Sequence, residues 1–440
     1  MLAFDLATCI MPRMRGWLVP IVAVAACAGS AQAQTTPTPS APAQTTAAPS
    51  MNDVMKLALD DKLMPALVLF EQVMAANPAA SGMGAQYWSF SGDIATADEL
   101  YARREVDTPS QPPPDLSQVR PEPAIEAIVR AAEGRRVVMI NEAHHAPRHR
   151  AFTYRLMLAL REAGFTHFAA ETFCSGSHCG PLLEDGAPMG AGRTGFYTME
   201  PVFGDLARQA GAAGYTLVGY EIRPEQQPPP GTAREKYIDL REQAQAENIK
   251  ALLDADPNAR VLVHVGFGHL AETVTGAPLH LFGGRLKELT GEDPLTIDQI
   301  EGTPQHDSEH DTLLYKAFVA QFGSPAAPVV IANDPEHPLD VYRVDLSVIH
   351  PVQHEVNGRP DWLAMDSYRK PHVVALEPLG ARSLVRAFVA GEPEGAIAMD
   401  QMLVGSGVEA VTLMLPPGSY RLVRQTEAGE NLPLGAVSVD

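Results

Sequence analysis

Hydrophobic and polar positions follow three rhythms along the chain. Between residues 51 and 104, Val54, Leu57, Leu63, Leu67, Phe70 and Met74 recur at helical spacing and Asn77-Pro78 interrupts them, which predicts a small helical region or hairpin. Its rhythm is loosely tetratricopeptide-like, but three repeats cannot be counted, so no array is expected. Pro109, Pro112, Pro113, Pro114, Pro121 and Pro123 then make a stiff connector. From about 124 to 345, short apolar runs alternate with longer amphipathic stretches. Strands are expected at 136–140, 167–170, 215–219, 260–265 and 328–332, and helices at 147–163, 200–210 and 233–253. In the first helix Phe152, Leu156, Ala159, Leu160 and Ala163 form one stripe and Gly164 is placed to end it. This alternation predicts an α/β fold with a mainly parallel sheet and helices on both faces. Beyond Pro371 the period shortens to two: the run 408–415, the turn Pro416-Pro417-Gly418, and the segments 420–423 and 436–439 predict a small β-sandwich-like appendage.

The first fifty residues have no place in that core. Arg13 and Arg15, the apolar run 17–26 and Ala31-Gln32-Ala33 form a secretory signal peptide pattern, while Val24-Ala25-Ala26-Cys27 forms a competing lipoprotein signal. The protein is therefore expected to be exported, either periplasmic or lipid-anchored in the envelope, with outer-membrane association through the anchor in the second case. The Thr, Pro, Ala, Ser and Gln of 34–50 cannot bury enough apolar area to order themselves and read as a tether. The expected organisation is leader 1–33, tether 34–50, helical region and connector 51–118, α/β domain 119–370 and β appendage 371–440. Lys and Arg number 33 against 53 Asp and Glu, a formal charge of −20, which argues against a phosphate-tracking nucleic-acid binder. Export also favours a disulfide between Cys174 and Cys179; the other reading makes the pair soft metal ligands with His178.

Ligands of an open parallel sheet bind beyond the carboxyl ends of its strands. Four successive predicted strands are followed there by ionisable groups: Asn141-Glu142-Ala143-His144-His145 with His149 a turn later, Glu171, Tyr220-Glu221, and Gly266-Phe267-Gly268-His269. Any one of these fits a helix cap or a solvated loop. Together they predict a site at one sheet edge. His264, inside an apolar run, reads as a satisfied buried histidine that stands behind the site at best. His306 and His310, at i and i+4 among polar residues, read as a solvated helix start, His350 and His354 as surface residues, and Gly266-x-Gly268-x-x-Ala271 as a weak dinucleotide signal.

The stretch 137–173, with Asn-Glu-Ala-His-His-Ala-Pro-Arg-His-Arg after one strand and Ala-Glu-Thr-Phe after the next, resembles the superfamily that joins erythromycin esterases, the ChaN haem-binding lipoproteins and the Tiki metalloproteases. The later Gly219-Tyr220-Glu221, Glu247-Asn248-Ile249 and 265–269 fit the same layout, so the resemblance covers about half of the chain. The esterase pattern Gly-Glu-x-x-His falls on 141–145, with Asn141 in place of Gly, and implies His145 as the base that activates water. The ChaN-like pattern Glu-x-His-x-x-Pro-x-His matches Glu142, His144, Pro147 and His149 more fully, and implies His144 and His149 as haem ligands. Glu171, Glu221 and His269 match the remaining acidic and His positions.

Two functions follow as expectations. The first is an exported, esterase-like hydrolase acting on an ester or similar small polar substrate through Glu142, His144, His145, Glu171, Glu221 and His269. Water would be activated by a His base or by a divalent metal on His144, Glu171 and His269. The second is a ChaN-like envelope protein that binds haem or metal without turnover. Neither needs a nucleophilic serine, and the chain carries no Gly-x-Ser-x-Gly elbow and no His-Glu-x-x-His pair.

Overall fold

The computed structural model describes residues 49–103, 112–274, 280–333, 339 and 342–440, so the expected leader and nearly all of the tether lie outside the described residues. Eight strands form the central sheet: β1 Glu122–Pro123, β2 Val137–Glu142, β3 His167–Ala170, β4 Thr216–Gly219, β5 Val261–Gly266, β6 Leu295–Asp298, β7 Val329–Ala332 and β8 Leu346–Ile349. They lie in the order β4-β3-β5-β2-β6-β8-β7-β1. The six from β4 to β8 are parallel, whereas β7 pairs antiparallel with β8 and β1 antiparallel with β7. The four strands that carry the ionisable groups are thus consecutive neighbours pointing the same way, and their carboxyl ends meet.

Alternation within β2 and β5 divides the core into two layers. Val138, Ile140, Phe168 and Leu262 face α5 (Ala124–Ala131), α6 (Pro147–Glu162) and α7 (Pro201–Ala212), while Val137, Met139, Val261, Val263 and Val265 face α8 (Arg234–Ala255) and α9 (Phe282–Thr290). Strands buried on both faces read as unbroken apolar runs, as these do. Pro147 opens α6 at its first turn, and Gly164, at φ +92°, takes the left-handed position just beyond its end. The hydropathy pattern does not announce β6 and β8: each is four residues long and carries a buried polar side chain, Thr296 or Ser347.

The helical region folds as α1 (Met51–Leu59), α2 (Leu63–Ala76), α3 (Ser81–Phe90) and α4 (Ile94–Ala102). The C-terminal appendage pairs 370–375 with 410–415 and sets four further antiparallel strands in the order 400–404, 383–389, 418–426, 431–439. Val374, Leu413 and Leu415 from the pair share a core with Val385, Ala387 and Leu422 from the four. The helical region and the appendage also meet: Leu384 joins the core of the helical region, and Arg386 and Arg382 reach Asp61 and Glu71. Among the described residues, no helix is long and apolar enough to cross a membrane.

Candidate functional site

The end of β2 delivers Glu142 into a site where almost no side-chain surface meets solvent. Arg150, on the buried face of the first turn of α6, grips it: Nε donates to Oε2 at 2.6 Å and Nη2 to Oε1 at 2.8 Å. The same guanidinium donates to Glu200 Oε2 at 3.1 Å, and Glu200 caps α7 by accepting from the Val202 and Phe203 amides. Burial opposes charge on Glu142, but Arg150 and the bond from His144 outweigh it and hold the carboxyl well below the usual carboxylate range. An ionised carboxylate only accepts hydrogen bonds. His144 Nδ1, 2.8 Å from Glu142 Oε1, must therefore carry a proton and donate it to that oxygen, which makes Nε2 the ring nitrogen turned toward the site.

Nε2 of His144 has no hydrogen-bond partner among the described residues, and it lies over Gly266 at the end of β5. A Cβ at 266 would sit 2.7 Å from His144 Nε2 and 2.9 Å from Glu171 Oε2, so only glycine lets the imidazole and the second carboxylate close on the strand end. Glu171 accepts from the Gly266 amide at 2.6 Å and from Arg241 Nη2 at 2.7 Å. Arg241 also binds Glu221 Oε2, whose other oxygen accepts from the Ile222 amide and from Gln245. Despite full burial, Arg241 and the two neighbouring imidazoles keep Glu171 ionised well below its ordinary range. Arg241 Nη1 lies 3.4 Å from His269 Nε2, and His269 Nδ1 is bonded to Glu242, which also accepts from the Phe282 amide at 2.7 Å. Burial works against a charge on His269, yet Glu242 raises its proton affinity above the ordinary value.

Aromatic rings roof this centre. Tyr197 stacks on His144 at 4.0 Å, and Phe267 meets it edge-on at 5.0 Å from a left-handed backbone with φ +45°, a conformation a bulky residue rarely holds. Both rings also pack against the core of the helical region, so the N-terminal helices wall the site. Asn141, where the esterase pattern has Gly, ties this wall to the sheet by donating to Phe267 O at 2.9 Å and accepting from the Gln299 amide. A cavity of about 340 Å³ between α8 and α9 reaches Glu242 from the far side.

The fold brings Glu142, His144, Glu171, Glu221 and His269 together and separates two other candidates. His145 turns away, its buried ring stacked on Tyr101 of α4 at 3.5 Å, which corrects its expected place as the base. His149 is corrected as a cofactor ligand: Nδ1 accepts from the Ala143 amide and Nε2 bonds Thr303, so both nitrogens are spent inside the core. His264 lies behind Glu142, with Nε2 3.7 Å from Oε2, and burial pushes its pKa down to about 4. His350 is buried against Gln299 and Phe152 rather than exposed. After Gly266 the chain makes the 3₁₀ turn Phe267–Leu270 and no α-helix.

Expected metal ligands His144, Glu171 and His269 do not fit a divalent ion. Arg241 stands bonded to Glu171 and beside His269, so a fixed guanidinium occupies the charge position a cation would take. Among the described residues the one group of three with ligand atoms within 4.8 Å of each other is Cys174, His178 and Cys179, which could hold a metal; in this structure the two cysteines form a disulfide. Pattern reading missed Arg150, Glu200, Arg241, Glu242 and Gln245. A signal existed for three of them: Arg241, Glu242, Gln245 and Asn248 place polar groups at helical spacing on the buried side of α8.

No protein-family model and no curated protein matches this chain. Solved structures similar over part of it include two effector proteins. The type III effector HopBA1 is 18% identical with a TM-score of 0.31, over 55% of this chain and 99% of that one. RRSP, a MARTX toxin effector domain from Vibrio vulnificus CMCP6, is 15% identical with a TM-score of 0.29, over 57% of this chain and 46% of that one.

Proposed function

We propose that this chain is an exported hydrolase in which His144 activates water against an ester or similar small polar substrate. One observation carries the reading: ionised Glu142 pins the Nδ1 proton of His144 while Nε2 is left without a partner beside Glu171. That is the arrangement of a base held in the productive tautomer by a buried carboxylate. As His144 Nε2 takes the proton from water, Glu142 stabilises the imidazolium. Arg241, fixed by Glu171 and Glu221, supplies the buried positive charge toward which negative charge develops. Resemblance of 137–173 to the erythromycin esterase, ChaN and Tiki superfamily agrees with a Glu/His centre at these strand ends. The leader pattern of 1–33 supports a periplasmic or lipid-anchored location.

Haem carriage without turnover is the second reading, and the loss of His149 to the core weighs against it. A panel of esters and lactones tests the choice. Turnover should fall sharply in His144→Ala and to a lesser degree in Glu221→Gln. Stoichiometric haem binding, unchanged in Glu221→Gln and accompanied by no hydrolysis across the panel, would reverse the two readings.

A further inference from the structure

We propose that the Cys174–Cys179 loop is a redox-gated zinc(II) site: closed while the disulfide stands, and formed from two thiolates and His178 when it is reduced. The site is separate from the Glu/His centre and does not rest on the hydrolase reading.

The imidazole is already in position. His178 Nε2 lies 3.7 Å from Cys174 Sγ and 3.7 Å from Cys179 Sγ. Zinc bonds of about 2.3 Å to sulfur and about 2.0–2.1 Å to nitrogen at a tetrahedral angle place S and N about 3.6 Å apart. The nitrogen thus already stands at ligand distance from both sulfurs, and only the sulfurs must part. His178 is exposed, which leaves a fourth tetrahedral position open to water.

The loop has reasons to keep its shape once the S–S bond is gone. The Cys174 amide donates to Thr194 O at 3.0 Å, and its carbonyl presses so closely on Gly219 that a Cβ there would lie 2.1 Å from the oxygen. Gly176, at φ +108°, turns the chain, and the Cys179 amide closes that turn on Gly176 O at 3.2 Å. None of these contacts involves sulfur, so reduction frees two thiols that remain near the imidazole.

The chemistry balances with a dithiol reductant. It delivers two electrons and two protons to the Cys174–Cys179 bond and leaves as its own disulfide. Zinc then displaces the proton of each thiol while neutral His178 lends its Nε2 lone pair, so the bound unit of Zn²⁺ and two thiolates carries no net charge. A cytosol-like or otherwise reducing environment opens the site, and an oxidising one shuts it.

Cobalt(II) titration of the full chain tests this, because tetrahedral thiolate ligation shows as sulfur-to-cobalt charge-transfer and visible bands. Protein reduced with a dithiol, then freed of it under anaerobic conditions, should bind one cobalt with both features, and zinc should displace the cobalt. Oxidised protein should show neither. Cys174→Ser/Cys179→Ser should lose the signal, which excludes Cys9 and Cys27 as its source. His178→Ala, an exposed substitution that leaves folding alone, should keep the charge-transfer band and weaken affinity by at least about tenfold. Reduced protein that takes up no cobalt, oxidised protein that binds it equally, or His178→Ala with unchanged affinity overturns the proposal.

Discussion

Two buried charged clusters in this molecule do different things with the same residue types. Between α7 and the β appendage, Arg369 donates to Asp205 at 2.6 Å with both side chains fully buried, and Arg359 donates to Asp400 at 2.8 Å. Asp400 also accepts the Gln401 and Met414 amides. This cluster holds no imidazole, and each carboxylate answers a guanidinium or a backbone amide. At the strand ends Arg150 and Arg241 meet Glu142, Glu171 and Glu221 in similar pairs, but His144 stands among them with one nitrogen bonded and the other bare. Paired charges join two parts of the fold in the first place. In the second they fix the tautomer and surroundings of a single group, and a partly exposed, incompletely bonded imidazole is what separates chemistry from scaffolding.

The comparison can be broken first at the interface. Arg369→Ala leaves Asp205 buried without its guanidinium and should cost about 3–5 kcal/mol in urea denaturation. Turnover per folded molecule should be unchanged, and a specific loss of activity at full stability would erase the distinction.

His144→Ala should do the opposite. Its ring stacks on Tyr197 at the site and not in a helix–sheet core, so stability should drop by only about 1 kcal/mol, well short of the loss at Arg369. Hydrolysis should fall by about 10²–10⁴-fold. A variant that unfolds earlier while keeping full activity would make His144 another structural residue.

His264 sharpens the comparison through pH. Its folded pKa of about 4 lies below the ordinary imidazole value of about 6.5, so the folded state binds fewer protons between those limits. The stability is fully present above pH ~6.5 and is lost as pH falls toward 4, by about 3 kcal/mol. Denaturation of the parent and His264→Gln across this range should show the difference between them shrinking by that amount in acid; a constant difference would show that burial of neutral His264 is not linked to stability.

The strand end itself is tested at Gly266. Gly266→Ala pushes a methyl against His144 and Glu171, whose flexible ends can yield, at about 1–3 kcal/mol. Activity should still collapse, because the yielding atoms are the reacting ones. Normal turnover would mean that the imidazole does not work over this strand end.

Much of the frame was legible. The apolar runs of β2 and β5 and the stripe of Phe152, Leu156 and Leu160 produced strand and helix positions within a few residues, because hydrophobic periodicity is a local property. The neighbouring parallel strands could be inferred from alternation of short strands and helices, which makes a convergence of Glu142, Glu171, Glu221 and His269 expected. Reading between His144 and His145 was not possible from the motif alone. The two are adjacent, and only Tyr101, from a helix more than forty positions earlier, draws one ring away while Glu142 holds the other.

By itself, then, the sequence determined which segments become strands and helices and which strand ends carry acids and imidazoles, since backbone period and side-chain hydropathy act over a few residues. The tertiary structure decided the rest. Arg241 lies on α8, 70 positions from Glu171, and its guanidinium takes the place where a metal was expected. The helical region roofs the centre, and the β appendage is held to α7 and to the helical region through ion pairs spanning more than 160 positions. Such contacts leave no periodic trace, because a buried charge is stable only beside the partner that folding delivers to it.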